Sequence, residues 1–193
     1  MKHILFIEGK SEQESLVILA QEGDRQAFVR LFQGVQQSLY RAACVILQND
    51  QDACDATQEA ALKAFRFLRS LRQPQFFKTW ITRILINECR GILREKRKMS
   101  YYPDMNSWHV NFREAAGAEI NVLEAVNRLT FNYRTVVVLR YLDGYSQKEI
   151  ARILGCPIGT VKSRINLALR KLKEGLKRQD IPEPRSPESH HAL

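Results

Sequence analysis

Apolar side chains recur every three or four residues along most of this chain, and that spacing admits little but helices. Phe28, Leu31, Phe32, Val35, Leu39, Ala42, Ala43 and Ile46 share one helical face. A second run, Ala53, Ala56, Thr57, Ala60, Ala61, Ala64, Phe65 and Leu68, carries small residues that let helices approach closely. A third holds Trp80, Ile81, Ile84, Leu85, Ile92 and Leu93, set off from the second by the breaker Gln73-Pro74-Gln75. No stretch alternates strongly enough to demand a sheet, so an all-α fold is expected.

The periodicity lapses once in mid-chain. Around Tyr101-Tyr102-Pro103-Asp104 and Asn106-Ser107 it gives no sustained repeat, and it resumes with Ile120, Leu123, Val126 and Leu129. A structureless loop of that length inside one domain is unusual, so it marks a boundary. The expected organisation is a lead segment at 1–15, a helical domain at 16–98, a flexible linker at 99–118, a second small helical domain at 119–178 and a tail at 179–193. Pro182, Pro184 and Pro187 keep regular helix out of the tail. A chain of 193 residues accommodates two such small domains.

Charge narrows the partners. Lys and Arg number 30 against 21 Asp and Glu, for a formal charge of +9, which points to a polyanion. The N-terminal apolar stretch Ile4-Leu5-Phe6-Ile7 is shorter than a signal-peptide core, so a cytosolic protein is expected. Cys44, Cys54, Cys89 and Cys156 include no CxxC pair and are expected to be small buried hydrophobes. Three of the four histidines, His3, His190 and His191, lie near the chain ends, which argues against a Cys–His enzyme. Gly155 and Gly159 are isolated and form no phosphate loop. No catalytic site, metal, cofactor or small-molecule substrate is expected.

The C-terminal block carries the sharpest pattern. Ser146-Gln147-Lys148-Glu149 fits a capping box, and Gly155 followed by Pro157 stops the helix it starts. A second helix resumes near Thr160 with Val161, Ile165, Ala168, Leu169 and Leu172 on one face. Small Ala151, Gly155 at the turn and Val161 beyond it match the spacing of a DNA-binding helix-turn-helix. A plain helical hairpin would share the spacing but not the charge: Thr160 to Arg178 holds seven basic residues and one acid. Thr160, Lys162, Ser163, Arg164 and Asn166 are candidates for base edges or phosphates, and Arg170, Lys171 and Lys173 for phosphates or solvent.

The N-terminal block has two faces of opposite sign. Asp50, Asp52, Asp55 and Glu59 cluster without an intervening base. Asp50 and Asp52 suit a helix N-terminus, whereas the like-charged Asp55 and Glu59 suit a basic protein partner. From Lys78 to Lys98 there are seven basic residues and two acids, with Phe76, Phe77 and Trp80 at the start. Basic side chains interleaved with rings suit single-stranded nucleic acid. A core role for Phe77 and Trp80 is the competing reading, and for Trp80 the two stand level.

These residues together resemble the extracytoplasmic-function (ECF) group of bacterial sigma factors. The resemblance rests on Leu19-Ala20-Gln21-Glu22-Gly23-Asp24 with Ala27-Phe28, on Asp52-Ala53-Cys54-Asp55-Ala56-Thr57-Gln58-Glu59, and on Phe77-Lys78-Thr79-Trp80-Ile81-Thr82-Arg83-Ile84 with Asn87. In the second block it rests on Val138-Leu139-Arg140-Tyr141, Glu149-Ile150-Ala151 and Gly159-Thr160-Val161-Lys162-Ser163-Arg164. It implies that Asp52, Asp55, Gln58 and Glu59 dock on the β′ clamp helices of core RNA polymerase. It places Lys78, Trp80, Arg83, Asn87, Arg90 and Arg94 at the melting −10 promoter element. It sets Thr160, Lys162, Ser163, Arg164, Asn166 and Arg170 at the −35 element, with the same domain on the β flap. It further implies control by an anti-sigma factor, commonly membrane-linked. Gly91 stands where many members have an acid. A stand-alone helix-turn-helix regulator is the alternative; it predicts duplex binding without polymerase.

Overall fold

The computed structural model describes residues 10–99 and 117–179, with side chains for 10–98 and 122–176. Among them there is helix and turn but no strand. The expected linker and tail fall almost wholly outside the described residues.

Eight α-helices follow in order: α1 (Glu12–Gln21), α2 (Arg25–Leu47), α3 (Asp50–Phe67), α4 (Phe77–Met99), α5 (Gly117–Asn127), α6 (Phe131–Val137), α7 (Gln147–Leu154) and α8 (Ile158–Gln179). The sequence punctuates them. Ser11 caps α1 in a reciprocal capping box with Glu14. Asp24 accepts from the backbone N–H groups of Gln26 and Ala27, and Asn49 from that of Asp52, so α2 and α3 each begin on a side-chain oxygen. The expected boundary at 15/16 falls inside α1, whose Leu16 and Val17 are buried with the core.

The long helices α2, α3 and α4 pack as a bundle. The alanine run of α3 explains how closely: Ala53, Ala56, Ala60 and Ala64 are all fully buried, so the neighbouring backbones come near. Phe77, Ile81 and Leu85 of α4 fill the other side of this core. Gly34 sits exposed in the middle of α2, and a methyl group there would meet nothing within 4 Å. Gly34→Ala should therefore raise stability by about 1 kcal/mol, the helix-propensity difference. Thermal unfolding should move up by roughly 2–4 °C in a chain of this size, and an unchanged midpoint would contradict the open space.

The C-terminal block folds as read, with one addition. α6 widens into a π-helical turn over Val138–Leu142, closed by the Asp143 N–H on the Val138 carbonyl at 3.1 Å. Ser146 and Glu149 then form the expected capping box, with Ser146 N–H on Glu149 Oε2 at 2.8 Å. Gly155 closes α7 at φ 62°, the left-handed conformation that favours glycine. Leu169 departs from expectation: it is 41% exposed, because the buried face of α8 runs through Val161, Ile165 and Ala168 instead.

The two helical blocks do not stand apart. Val136, Val138, Leu139, Tyr145, Ile150, Ile153, Val161 and Ile165 belong to the same buried cluster as Phe77, Ile81 and Leu85. Helix α7 lies against α4, and α6 with the π turn lies against α2. Periodicity shows which face of a helix is buried but not which neighbour buries it, so this joint core is invisible in the sequence.

A buried arginine sits at the joint. Arg134 donates from Nη1 to the Ile46 carbonyl at 2.7 Å and from Nη2 to those of Asn127 and Leu129 at 2.6 and 2.8 Å. These are carbonyls at or just beyond the C-terminal ends of α2 and α5, where a helix leaves acceptors without partners and carries negative partial charge. Burial pulls its pKa down to about 10. Among the described residues no helix is long and apolar enough to cross a membrane.

Candidate nucleic-acid interface

Helix α8 presents its N-terminal half as an open polar face. Lys162, Ser163, Asn166 and Arg170 are exposed, while Thr160 and Arg164 are half-buried at its edges. Between them Val161, Ile165 and Ala168 plug the core, so the helical period alone sorts the outward side chains from the buried ones. The start of α8 is held by the Pro157 carbonyl, which accepts from Thr160 and Val161 at 3.0 and 3.3 Å. The geometry is that of a helix offered to a duplex groove.

Helix α4 divides its candidates. Lys78, Arg83, Asn87, Arg90 and Arg94 are exposed along it. Trp80 is half-buried, with its ring centroid 6.2 Å from that of Phe77 and its inner side packed on the core. Phe77 is fully buried and so belongs to the core, which settles one half of the competing reading. Phe76 is half-buried and lies under the Arg152 guanidinium at 4.7 Å, so it is occupied by α7. Of the three rings read as a platform, only Trp80 remains available to stack.

The acidic group on α3 also divides. Asp55 and Gln58 point outward and are exposed. Asp52 is half-buried and ion-paired to Lys96 of α4. Glu59 is half-buried and lies 3.4 Å from Lys63, which also reaches Glu88 of α4 at 2.6 Å. Glu88 accordingly holds the Lys63 ammonium above its usual range. The bare acidic stripe of the sequence is thus neutralised at two of its members by bases on the same and the neighbouring helix. Asp50 likewise accepts from the Tyr40 hydroxyl, whose pKa this bond raises.

Beside Asp55 and Gln58 lies a feature the sequence reading did not find. An open apolar groove of about 840 Å³ runs between α2 and α3, walled by Phe28, Val29, Phe32, Leu62 and Phe65. Leu62 and Phe65 are 52% and 50% exposed. Their signal was present: Val29 and Leu62 are apolar on the outward side of otherwise amphipathic helices. Phe65, which the helical period groups with the core face, lies on the groove wall instead.

Cys44 and Cys89 are buried as expected, and burial pushes the Cys89 thiol up to about 12. Cys54 and Cys156 are only half-buried, contrary to expectation: Cys54 lines the groove and Cys156 follows the glycine turn. Among the described residues no three His, Cys, Asp or Glu side chains group as a metal site.

Known proteins match both blocks. The family model described as Sigma-70 region 2 covers residues 31–99, and that described as Sigma-70, region 4 covers 119–172. The chain is 35% identical over 167 residues to the ECF RNA polymerase sigma factor SigM of Mycobacterium tuberculosis, covering 85% of each. The solved structure of CnrH in complex with the cytosolic domain of CnrY is 27% identical and superposes with a TM-score of 0.68 over 89% of this chain and 100% of that one. The sigma factor RpoE of Bartonella quintana, solved with the anti-sigma factor NepR, is 25% identical with a TM-score of 0.68, over 79% and 98%. The chain belongs to the ECF sigma factors of the sigma-70 family.

Proposed function

We propose that this chain is a promoter-specificity subunit that binds core RNA polymerase and directs initiation at its own set of promoters, without a catalytic site of its own. Helix α8 reads the −35 element through Lys162, Ser163, Asn166 and Arg170, with Thr160 and Arg164 at the margin. Helix α4 meets the strand exposed at −10, with Trp80 stacking and Lys78, Arg83, Asn87, Arg90 and Arg94 along the backbone and bases. Asp55 and Gln58, beside the apolar groove, dock on the clamp helices of the β′ subunit, and the second domain reaches the β flap. Asp52 and Glu59 support that surface by holding α3 in place. Neither block needs to bind DNA tightly alone, since linkage through the polymerase raises the effective concentration of each. The similar sigma factor solved with the anti-sigma factor NepR supports a similar inhibitor here, and the work itself is done in the cytoplasm on chromosomal DNA.

The observation that carries this reading is the pairing of two separate basic faces in one molecule with the exposed Asp55 and Gln58 beside an open apolar groove, which a stand-alone regulator does not need. Run-off transcription with sigma-free core polymerase on a genomic template library tests it. Discrete start sites sharing upstream sequence are expected, and their absence would overturn the reading. Within that assay Lys162→Ala should lower transcription several-fold. A loss uniform over promoters marks Lys162 as a phosphate contact, and a changed promoter preference marks it as a base reader. Unchanged output would remove it from the interface.

A further inference from the structure

A cleft of about 490 Å³ opens between the C-terminal half of α4 and the start of α6, and it shares no wall residue with the apolar groove of α2 and α3. Arg90, Arg94, Arg97 and Lys98 form one wall. Their spacing of four, three and one puts all four on a single face of α4. Thr130, Phe131 and Asn132 form the other wall, and among the described residues no acid lines the cleft. The walls are kept in register by bonds elsewhere in the shared core, Ser38 Oγ to Asp143 Oδ1 at 2.8 Å and Thr82 Oγ1 with the Tyr145 hydroxyl at 2.7 Å.

The protein matches these cations poorly by itself. Arg94 and Lys98 lie 3.7 and 3.6 Å from Glu95, and all three side chains are mostly exposed, where such pairs are weak. Like charges four apart on one helix, as in Arg90 with Arg94 and Arg94 with Lys98, repel. The negative end of the helix dipole accommodates Arg97 and Lys98 in the last turn, but it does not extend back to Arg90 and Arg94.

The facing wall supplies a different chemistry. Thr130 and Asn132 are exposed, and the Thr130 side chain makes no capping bond to α6, so a hydroxyl and an amide are open to a ligand. Phe131 and Leu93 are half-buried, and the Arg90 guanidinium lies 5.7 Å from the centre of the Phe131 ring. The cleft thus offers flat and apolar surface beside its cations.

These features name a ligand class. A cationic wall without a lining acid suits several negative charges held close together, and guanidinium forks grip phosphate oxygens two at a time. The volume far exceeds that of one phosphate and falls in the range of small-molecule sites. We propose that this cleft binds a free nucleoside polyphosphate, its phosphates along Arg94, Arg97 and Lys98, its base against Arg90 and Phe131, and Thr130 and Asn132 at its polar edge. Such a ligand covers Arg90 and Arg94, so on the promoter assignments above it competes with the −10 strand; the binding itself does not depend on those assignments.

Isothermal titration calorimetry on the full chain at about 0.15 M salt tests this with ATP, GTP, tripolyphosphate and a short single-stranded oligothymidylate. ATP or GTP should bind at one site per chain, about ten-fold more tightly than tripolyphosphate, because the base adds stacking. Arg97→Glu and Asn132→Glu, on opposite walls, should each weaken nucleotide binding about ten-fold or more. Lys148→Glu, exposed on α7 and outside the cleft, should change it less than about two-fold. Circular dichroism establishes that each variant is folded, and either cleft variant suffices. No saturable nucleotide binding, equal losses in all three variants, or tripolyphosphate binding as tightly as nucleotide would each overturn the proposal. Binding of the oligothymidylate alone, lost in the two cleft variants, would make the cleft a strand channel and overturn it as well. The measurement involves no polymerase, so a chain that fails to direct initiation still tests the cleft in full.

Discussion

Replacing Arg134 by methionine should lower the unfolding free energy by about 3 kcal/mol, the loss of several charge-assisted hydrogen bonds and the stranding of their carbonyls, partly offset by relief of a buried charge. For a chain of this size the midpoint should fall by roughly 6–12 °C. No carboxylate faces this guanidinium among its bonded partners; its acceptors are the Ile46, Val126, Asn127 and Leu129 carbonyls. The residue is therefore a shared C-terminal cap for α2 and α5 rather than half of an ion pair. Arg134→Lys keeps the charge but loses the fork, so it should recover only part of the difference. Thermal unfolding followed by circular dichroism measures all three chains. A methionine variant within about 2 °C of wild type would mean that the joint between the blocks contributes little to the fold.

The second large effect falls on polymerase affinity. Asp55→Lys combined with Gln58→Ala should weaken binding to core polymerase by about 100-fold or more, since on the proposed docking surface an outward acid is replaced by a like charge to its partner. Both side chains are exposed and lie outside the core, so stability should stay within about 0.5 kcal/mol. Asp52→Ala and Glu59→Ala give the contrast. Asp52 is bound to Lys96 and Glu59 shares Lys63 with Glu88, so their removal should loosen α3 against α4 and alter affinity less. A competition assay against a labelled sigma factor reads these differences, and equal affinity for all three would remove the acidic patch from the interface.

Much of the fold was legible because helices announce themselves locally. The capping box at Ser146 and Glu149, the left-handed turn at Gly155 and the alanine face of α3 all follow from rules acting over a few residues. The two faces of α8 were legible for the same reason: its plugs Val161, Ile165 and Ala168 and its exposed Lys162, Ser163 and Asn166 alternate at the helical period. What escaped is contact between residues far apart in the chain. Nothing near Arg134 says that it will reach Ile46, 88 positions away, or that Tyr145 will meet Thr82 at a separation of 63. The acidic stripe misled for a related cause. Lys96 and Glu88 are distant in sequence from Asp52 and Lys63, yet the packing of α3 on α4 brings each pair together. The groove of Phe28, Phe32 and Phe65 escaped because the period reports that a face is apolar and not that a partner is missing.

The wide turn at Val138–Leu142 holds one residue more than an ordinary helix would spend on the same rise. Each residue of an α-helix advances the azimuth of whatever follows by about 100°. A chain lacking that surplus residue would keep all its helices and still swing the last two to a different compass bearing, with Asp143 and Tyr145 aimed away from Ser38 and Thr82. The heading of α8 is thus set by a single inserted position well upstream of it, and indels there are expected to be far less tolerable than substitutions.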